Sequence, residues 1–316
     1  MLAPPMARDF VQSNVIPLLV VANARAGHGR GARRAGELAR ALQAAGMPFT
    51  LVHTNGPGHA TALAVDAPGA VVAVGGDGTV HEVVNGLVAR ARVLGPLAVL
   101  PAGSGDDFAS HAGFASSPAE LVERLRAGRV RQIDVGSAEV DCEYGRLQRR
   151  FVNNAGLGFE AEVVVAAANA RWLRGRPLYL AATLQAVRHQ RLVDCELAYT
   201  TAGTTTMTRL PVLFVSTCNG RRVGGGLPFA PDARLDDGQL DVLQVTAPSR
   251  RATLVLLWRL LRARHARDAR VRLSRCTELA IRPASPMPLA MDGELLARRV
   301  TALRLRIDPQ RLALLS

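Results

Sequence analysis

The stretch Ala70–Leu87, AVVAVGGDGTVHEVVNGL, constrains the fold of this chain more than any other. Its apolar run, Ala70 to Val74, is rich in Val and reads as a buried strand. The run stops at Gly75-Gly76-Asp77-Gly78-Thr79. Val80, Val83, Val84 and Leu87 then recur at helical spacing, so a helix is expected to begin at or just after Thr79. Such a strand, turn and helix bring backbone N–H groups close to a phosphate. Glycine lets the backbone approach, and the helix N-terminus supplies unpaired donors and partial positive charge. A plain turn needs fewer glycines than the three around Asp77, which favours the phosphate reading.

The same pattern recurs. An expected strand, Val15 to Ala22, leads into Asn23-Ala24-Arg25-Ala26-Gly27, then Gly29, Gly31 and a helix over 32–45. Phe49 to His53 ends at Thr54, and Leu97 to Leu100 leads into Pro101-Ala102-Gly103-Ser104-Gly105-Asp106-Asp107-Phe108. Strands alternate with helices to about residue 135, which predicts a parallel sheet with helices on both faces. Ligands of such sheets bind beyond the carboxyl ends of the strands, where the loops at Asn23, Thr54, Gly75 and Gly103 would gather. From residue 136 short alternating segments predict an antiparallel β domain. Two helical stretches interrupt it: 161–190, broken at Gly175-Arg176-Pro177, and 249–265. Residues 1–14 read as a loose arm.

Charge and composition exclude several chemistries. The net charge is +13, and all 39 basic Lys-plus-Arg residues are Arg. A basic surface suits nucleic acid, anionic lipid or phosphorylated substrates. Without Lys there is no Walker A loop, no protein-kinase site and no Schiff base. An aromatic content of 4% leaves few platforms for stacking bases, so no specific nucleic-acid partner is expected. Cys142, Cys195, Cys218 and Cys276 have no metal-ligand spacing and suit a reducing compartment. There is no apolar run of membrane-spanning length and no signal pattern, so a cytoplasmic protein is expected.

Three acidic stretches stand out in the second half and before it. Arg234-Leu235-Asp236-Asp237-Gly238-Gln239 offers paired carboxylates for a hard cation, or a simple Asp-Gly turn. Met291-Asp292-Gly293-Glu294 could supply a base and a metal contact, or merely make a hairpin. Asp134 sits inside an apolar strand, where a carboxylate is costly without a metal, a donor or solvent. The helix over 249–265 has leucines and Trp258 among Arg250, Arg251, Arg259, Arg262 and Arg264. It reads as a core helix with an Arg-rich outer face, with an anionic membrane as the alternative. The break around Arg174–Pro177, with Leu173, Leu178 and Tyr179, is the preferred point of lipid approach.

In order, the chain carries GGDGTVHEVVNGL, PAGSGDDFA, the Asp134 strand, NNAGLGF (Asn153–Phe159), GGGLPFAPDARLDDG (Gly224–Gly238) and MDGE. Over Val15 to about Ile307 this resembles the diacylglycerol-kinase catalytic-domain family, the bacterial soluble lipid kinases related to sphingosine and ceramide kinases. GGDGT is shared with NAD kinases; LDDG and MDGE point to lipid kinases. The resemblance implies a two-domain enzyme. An NAD-kinase-like α/β ATP-binding domain with a parallel sheet would span 13–135 plus about 304–316, and a β-rich sandwich with helical insertions, binding lipid and metal, would span 136–303. ATP would be held by Asn23, Ala24, Arg25, Ala26 and Gly27, by Thr54, by Gly75, Gly76, Asp77, Gly78, Thr79 and Glu82, and by Ser104. Mg²⁺ would lie near Asp237, with Arg234 and Gln239 contributing backbone carbonyls and Asp134 and Asp292 joining through water. Glu294 matches the family's proposed general base, Asp292 its catalytic neighbour, and the lipid hydroxyl would enter between the domains.

The family's third loop usually reads Gly-Thr-x-Asn-Asp. Here Ser104 keeps the hydroxyl, and Asp106 replaces Asn with a negative charge near phosphate. The first loop has Ala24 where Pro is usual. The resemblance thus implies transfer of the γ-phosphate of ATP to a hydroxyl of diacylglycerol or a related lipid alcohol. The expected setting is the anionic inner face of the membrane, with room for a homodimer. The competing readings are an NAD-kinase-like phosphotransferase and a peripheral lipid-binding protein without catalysis.

Overall fold

A computed structural model describes residues 18–89, 95–114, 116–169 and 175–315. The N-terminal arm, and Leu173 and Arg174 of the expected lipid approach, lie outside them. The chain forms two units: one runs through Ile133 and resumes at Gln310, and the other spans Asp134–Pro309.

In the first unit, strands β1 (Leu18–Ala22), β2 (Phe49–His53), β3 (Val71–Gly75) and β4 (Leu97–Pro101) alternate with helices α1 (Arg30–Ala44), α2 (His59–Val65) and α3 (Asp77–Val88). Helices α4 (Asp107–Ala112) and α5 (Pro118–Ala127) follow. The strands pair in parallel in the order β2-β1-β3-β4. Every residue of β3 is buried, as a strand covered on both faces requires. Val20, Ala22, Val72, Val74, Ala98 and Leu100 share a core with Leu38 and Leu42 of α1 and Leu121 of α5. On α3, Gly86 is needed for close packing, since a Cβ there would lie 2.3 Å from the Thr61 carbonyl oxygen of α2. Ser117 caps α5 by accepting from the Glu120 amide, with Pro118 at the first helical position. The end of the chain returns here, Leu314 pairing in parallel with Leu97.

The second unit contains β5 (Val130–Cys142, from Asp134 on), β6 (Gly145–Phe151), β7 (Asn154–Gly158), α6 (Phe159–Asn169), α7 (Gly175–Ala186), β8 (Val193–Thr201), β9 (Thr204–Val212), β10 (Phe214–Cys218) and β11 (Leu240–Val245). Then come α8 (Arg250–Leu261), β12 (Val271–Cys276), β13 (Glu278–Pro283), β14 (Met287–Met291), β15 (Glu294–Val300) and β16 (Ala302–Leu315). One antiparallel sheet has the order β12-β11-β10-β7-β14-β15. In the other layer β16 pairs with β13, β13 with β8 and β8 with β9, while β5 pairs with β6. The layers face across a core that includes Leu157, Val215 and Val242 from one and Leu197, Leu279 and Leu305 from the other. On β16, Leu303, Leu305 and Ile307 point inward and Arg304 and Arg306 outward, the period-two pattern of a half-buried strand.

One expectation is corrected here and one is extended. Helix α3 starts at Asp77, two residues before Thr79, because extended Gly76 (φ −98°, ψ −170°) is its N-cap. Helix α8 has the buried face and the Arg-bearing outer face expected of it, and that outer face also exposes apolar side chains. Ala252, Thr253 and Leu256 are buried, but Leu254, Val255, Trp258 and Leu261 are 40–50% exposed among the arginines.

Candidate functional site

The carboxyl edge of the parallel sheet gathers three glycine loops, and their backbones touch. A Cβ on Gly27 would lie 2.1 Å from the Ala102 carbonyl oxygen, and one on Gly103 would lie 2.5 Å from the Gly76 Cα. Gly27 is also left-handed at φ 53°. Side chains tie the loops into one body. Asn23 receives the Arg25 amide on Oδ1 (3.1 Å) and donates from Nδ2 to Thr79 Oγ1 (3.3 Å). The Ala102 amide donates to the Gly75 carbonyl (2.8 Å), and the Thr54 amide to the Ala22 carbonyl (2.9 Å). Asn23, Thr54, Gly75–Thr79 and Gly103 are therefore neighbours at one sheet edge, as the alternating pattern predicts. The first turn of α3 and the exposed Ser104 lie at this edge, and helix first-turn amides are donors of the kind that can receive an anion.

Asp77 and Glu82, both expected at the nucleotide, have carboxylates that brace this edge. Asp77 accepts from the Asp107 amide (3.2 Å) and the Phe108 amide (3.1 Å), capping α4. Burial, reinforced by the neighbouring Asp107 charge, pushes its carboxyl up to about 7. Glu82 accepts from the Gly58 amide (2.8 Å) and the Ala60 amide (3.0 Å), so it ties the Thr54–Gly58 loop and the start of α2 to α3. Asp106 has left-handed backbone (φ 53°) and folds its Oδ1 back onto the Gly103 amide (2.9 Å). Burial raises its pKa, opposed by that amide and by the Arg30 charge. Arg30 opens α1 and donates to the Gly103 carbonyl, so it is a cation at the loop cluster that motif reading passes over. An Arg in the first turn after a glycine loop is the signal that marks it.

In the second unit, Asp134 is 1% exposed and its Oδ2 accepts from the Gly238 amide (2.7 Å), while its own amide donates to Leu235 (2.6 Å). The loop holding Asp236 and Asp237 is thus fastened to the Asp134 strand. Asp237 receives the Gln239 amide (3.1 Å), a local turn, and Arg234 pairs with Asp236 (3.2 Å). No group of three or more His, Cys, Asp or Glu side chains among the described residues is placed to hold a metal. The donor set left is one or two carboxylates, backbone carbonyls and water, which fits Mg²⁺ and does not fit zinc.

Asp292 and Gly293 form the two-residue turn between β14 and β15, both with positive φ (47° and 84°), the conformation that closes a tight hairpin. The Asp292 carboxylate is 3% exposed and accepts three amides: Asn153 (2.8 Å) and Asn154 (3.0 Å) on Oδ1, and Val152 (3.1 Å) on Oδ2. It therefore locks the hairpin against β7. Glu294, two residues on, is exposed.

An apolar cavity of about 100 Å³ lies in the same unit. Its walls come from α6 (Phe159, Val163), α7 (Tyr179, Thr183), α8 (Leu256, Leu260) and the sheet, and Gly293 lies on its margin, next to Glu294. Glu160 and His265 are the ionisable walls besides Tyr179.

Two family models match the chain: the diacylglycerol kinase catalytic domain over residues 17–138, and the YegS C-terminal NAD kinase beta sandwich-like domain over 153–316. A "Probable lipid kinase YegS-like" protein of Pseudomonas aeruginosa is 31% identical over 76% of this chain and 74% of its own length. A diacylglycerol kinase of Bacillus subtilis is 27% identical over 75% of this chain and 78% of its own. The match to a Chromohalobacter salexigens relative of the same lipid-kinase name is 34% identical over 55% of this chain, and spans about half of that relative (53%). A crystal structure of a diacylglycerol kinase from Bacillus anthracis str. Sterne shares the fold with a TM-score of 0.68 at 20% identity, covering 95% of this chain and 96% of that one. Loops, hairpin and family models agree: the chain belongs to the lipid kinase family built on the diacylglycerol kinase catalytic domain and its YegS-type C-terminal sandwich.

Proposed function

We propose that the protein transfers the γ-phosphate of ATP, as its Mg²⁺ complex, to a hydroxyl of diacylglycerol or a related lipid alcohol. The observation that carries the lipid acceptor is the apolar cavity whose margin includes Gly293, the residue beside Glu294. An acyl chain in that cavity leaves its polar end near the carboxylate assigned as base.

Phosphoryl transfer depends on positioning and charge neutralisation more than on covalent help. The glycine-loop amides and the N-terminus of α3 cradle phosphate in place of the absent Lys. Mg²⁺, when bound, offsets the charge of the phosphates; Asp237, Asp134 and the carbonyls of Arg234 and Gln239 would hold it. Glu294 orients the lipid hydroxyl and takes its proton. Asp292 keeps that carboxylate in place by fixing the hairpin rather than by touching the reacting atoms.

The surface supports work at an anionic membrane. Leu180 and Leu184 on α7 and Leu254, Val255, Trp258 and Leu261 on α8 are exposed apolar side chains on two helices that also wall the cavity. Arg250, Arg251, Arg262 and Arg264 surround the α8 set, and the Arg262 guanidinium sits 3.9 Å from the Trp258 ring centre. Apolar side chains ringed by cations suit the interface of a negatively charged leaflet. No helix among the described residues is long and apolar enough to cross a membrane.

ADP release is the test. It is measured with ATP and Mg²⁺ in the presence of micellar diacylglycerol, monoacylglycerol, ceramide or sphingosine, or of NAD. Stimulation by a lipid, abolished by EDTA and by Asp237→Ala, is expected. Stimulation by NAD alone would replace this reading with an NAD-kinase-like one.

A further inference from the structure

An edge strand offers a row of unpaired N–H and C=O groups to any other strand, and short length or charged side chains keep such an edge from pairing. Among the described residues the edge strands are β2, β6, β9, β12 and β15. β2 has only five residues. β6 carries Arg146, Arg149 and Arg150, β12 carries Arg272 and Arg275, and β15 carries Arg298 and Arg299. On a chain of net charge +13 these arginines repel a second copy. β9 has no such guard. It runs for nine residues as Thr-Thr-Thr-Met-Thr-Arg-Leu-Pro-Val, in unbroken register with β8, and among the described residues it pairs with no other strand.

The residues of β9 favour pairing. Thr is β-branched and suits a pleated surface, and facing Thr pairs support a sheet. The one charge, Arg209, is matched by Glu196 on β8 (4.0 Å). Met207 is an apolar side chain left 72% exposed. Thr205, Met207 and Arg209 share the face away from the core, because Thr208 and Leu210 alternate with them and lie opposite Leu197 and Cys195, which belong to the core.

The rows of side chains across that outer face select the occupant. Met207 lies beside Ala198, and Ala198 beside Ala280, an uncharged row. On one side of it Arg209 lies beside Glu196, and Glu196 beside Arg282. On the other, Thr205 lies beside Thr200, Thr200 beside Glu278, and Glu278 beside Arg306. A second copy turned about a two-fold axis at Met207 sets its own Thr205 opposite Arg209. The joined row then reads Arg282, Glu196, Arg209, followed by Thr205, Thr200, Glu278 and Arg306 of the second copy, and no like charges are neighbours. The central row becomes continuous and uncharged, with the two Met207 side chains covering each other. This register pairs Thr204–Leu210 of both copies and stops short of Pro211, which has no N–H to give.

We propose that β9 is a self-association edge: Thr204–Leu210 pair antiparallel with the same residues of a second copy about a two-fold axis at Met207, so that the β16-β13-β8-β9 layers of the two copies form one sheet. The partner is a second copy of this chain, and the pairing is independent of the reaction the chain catalyses.

The test is sedimentation equilibrium of the full chain at high micromolar concentration, with circular dichroism and Tm as folding controls. Wild type should associate to a dimer. Met207→Arg sets two guanidinium groups opposite each other across the axis and should weaken association by about tenfold or more. Tyr144→Arg adds the same charge at a side chain 68% exposed in the turn between β5 and β6, and should leave association unchanged. Oxidation in a Cys142→Ser background reads the register, since the other three cysteines are buried. Opposed residues of an antiparallel pair stand about 4.5–5.5 Å apart at Cα, within disulfide reach, so Met207→Cys should give a cross-linked dimer. Thr205→Cys faces Arg209 and should not. A wild-type chain that stays monomeric overturns the proposal. A dimer that Met207→Arg leaves intact overturns it, as does a cross-link through Thr205→Cys in place of Met207→Cys.

Discussion

Asp106 shows how one residue departs from its family pattern without breaking the loop. Its left-handed backbone is a conformation that Asn tolerates at least as well, and an Asn oxygen would accept the same Gly103 amide. What Asn removes is a charge beside the turn proposed to hold phosphate. Asp106→Asn should therefore tighten ATP binding by about threefold or more, through loss of a like-charge repulsion; titration calorimetry reads this, and weaker binding would contradict it. Asp77 has the opposite interest. Its raised carboxyl means that the folded state holds a proton that the unfolded state has lost, so stability drains away as pH rises from about 4 through about 7. Relative to Asp77→Asn, wild type should lose Tm between pH 5 and pH 8. A constant difference across that range would show that Asp77 does not titrate there. Asp292 and Glu294 separate cleanly. Asp292→Ala strands three buried amides and should cost about 3 kcal/mol of stability. Glu294→Gln should keep Tm within a degree or two and remove turnover.

At the scale of elements, strands and turns with strong local chemistry were legible, and those defined by tertiary cover were not. The three glycine loops, the buried β3 run and the Asp-Gly hairpin follow from residue type alone. β7, Asn-Ala-Gly-Leu-Gly, reads as a motif rather than a strand because Gly and Ala have low strand preference. It is a strand because β10 and β14 pair on both sides of it and α6 covers it. β9 and β10 are separated by Leu213 alone, where the chain changes layers. The residues proposed for Mg²⁺, base and phosphate come as a set from the family resemblance. The bracing roles of Asp77, Glu82 and Asp292 were not, since they depend on which amides the fold brings within reach. α8 matters most among the helices. Its C-terminal end is held by Asp268, which pairs with Arg259 (2.5 Å) and Arg270 (2.7 Å). The outward face, with Leu254, Val255, Trp258 and Leu261, is left exposed. Trp258→Glu should reduce binding to anionic vesicles several-fold in a sedimentation assay while leaving Tm unchanged; undiminished binding would remove α8 from the docking surface.

For the whole molecule, two units divide the chemistry: a parallel sheet whose loops suit phosphate, and a sandwich that holds the carboxylates, the hairpin and the apolar cavity. A net charge of +13 with no Lys gives the whole chain an attraction to anionic surfaces that does not by itself choose a substrate. In the proposed lipid-kinase reaction the choice lies with the cavity and Glu294. The most direct measurement is transfer of labelled γ-phosphate from ATP with Mg²⁺ into extractable lipid, by wild type and Glu294→Gln side by side. Label in a phosphorylated diacylglycerol or related lipid alcohol, absent with Glu294→Gln, is the predicted result. Label that never enters the lipid phase while ATP still binds, or transfer that Glu294→Gln leaves intact, would contradict it.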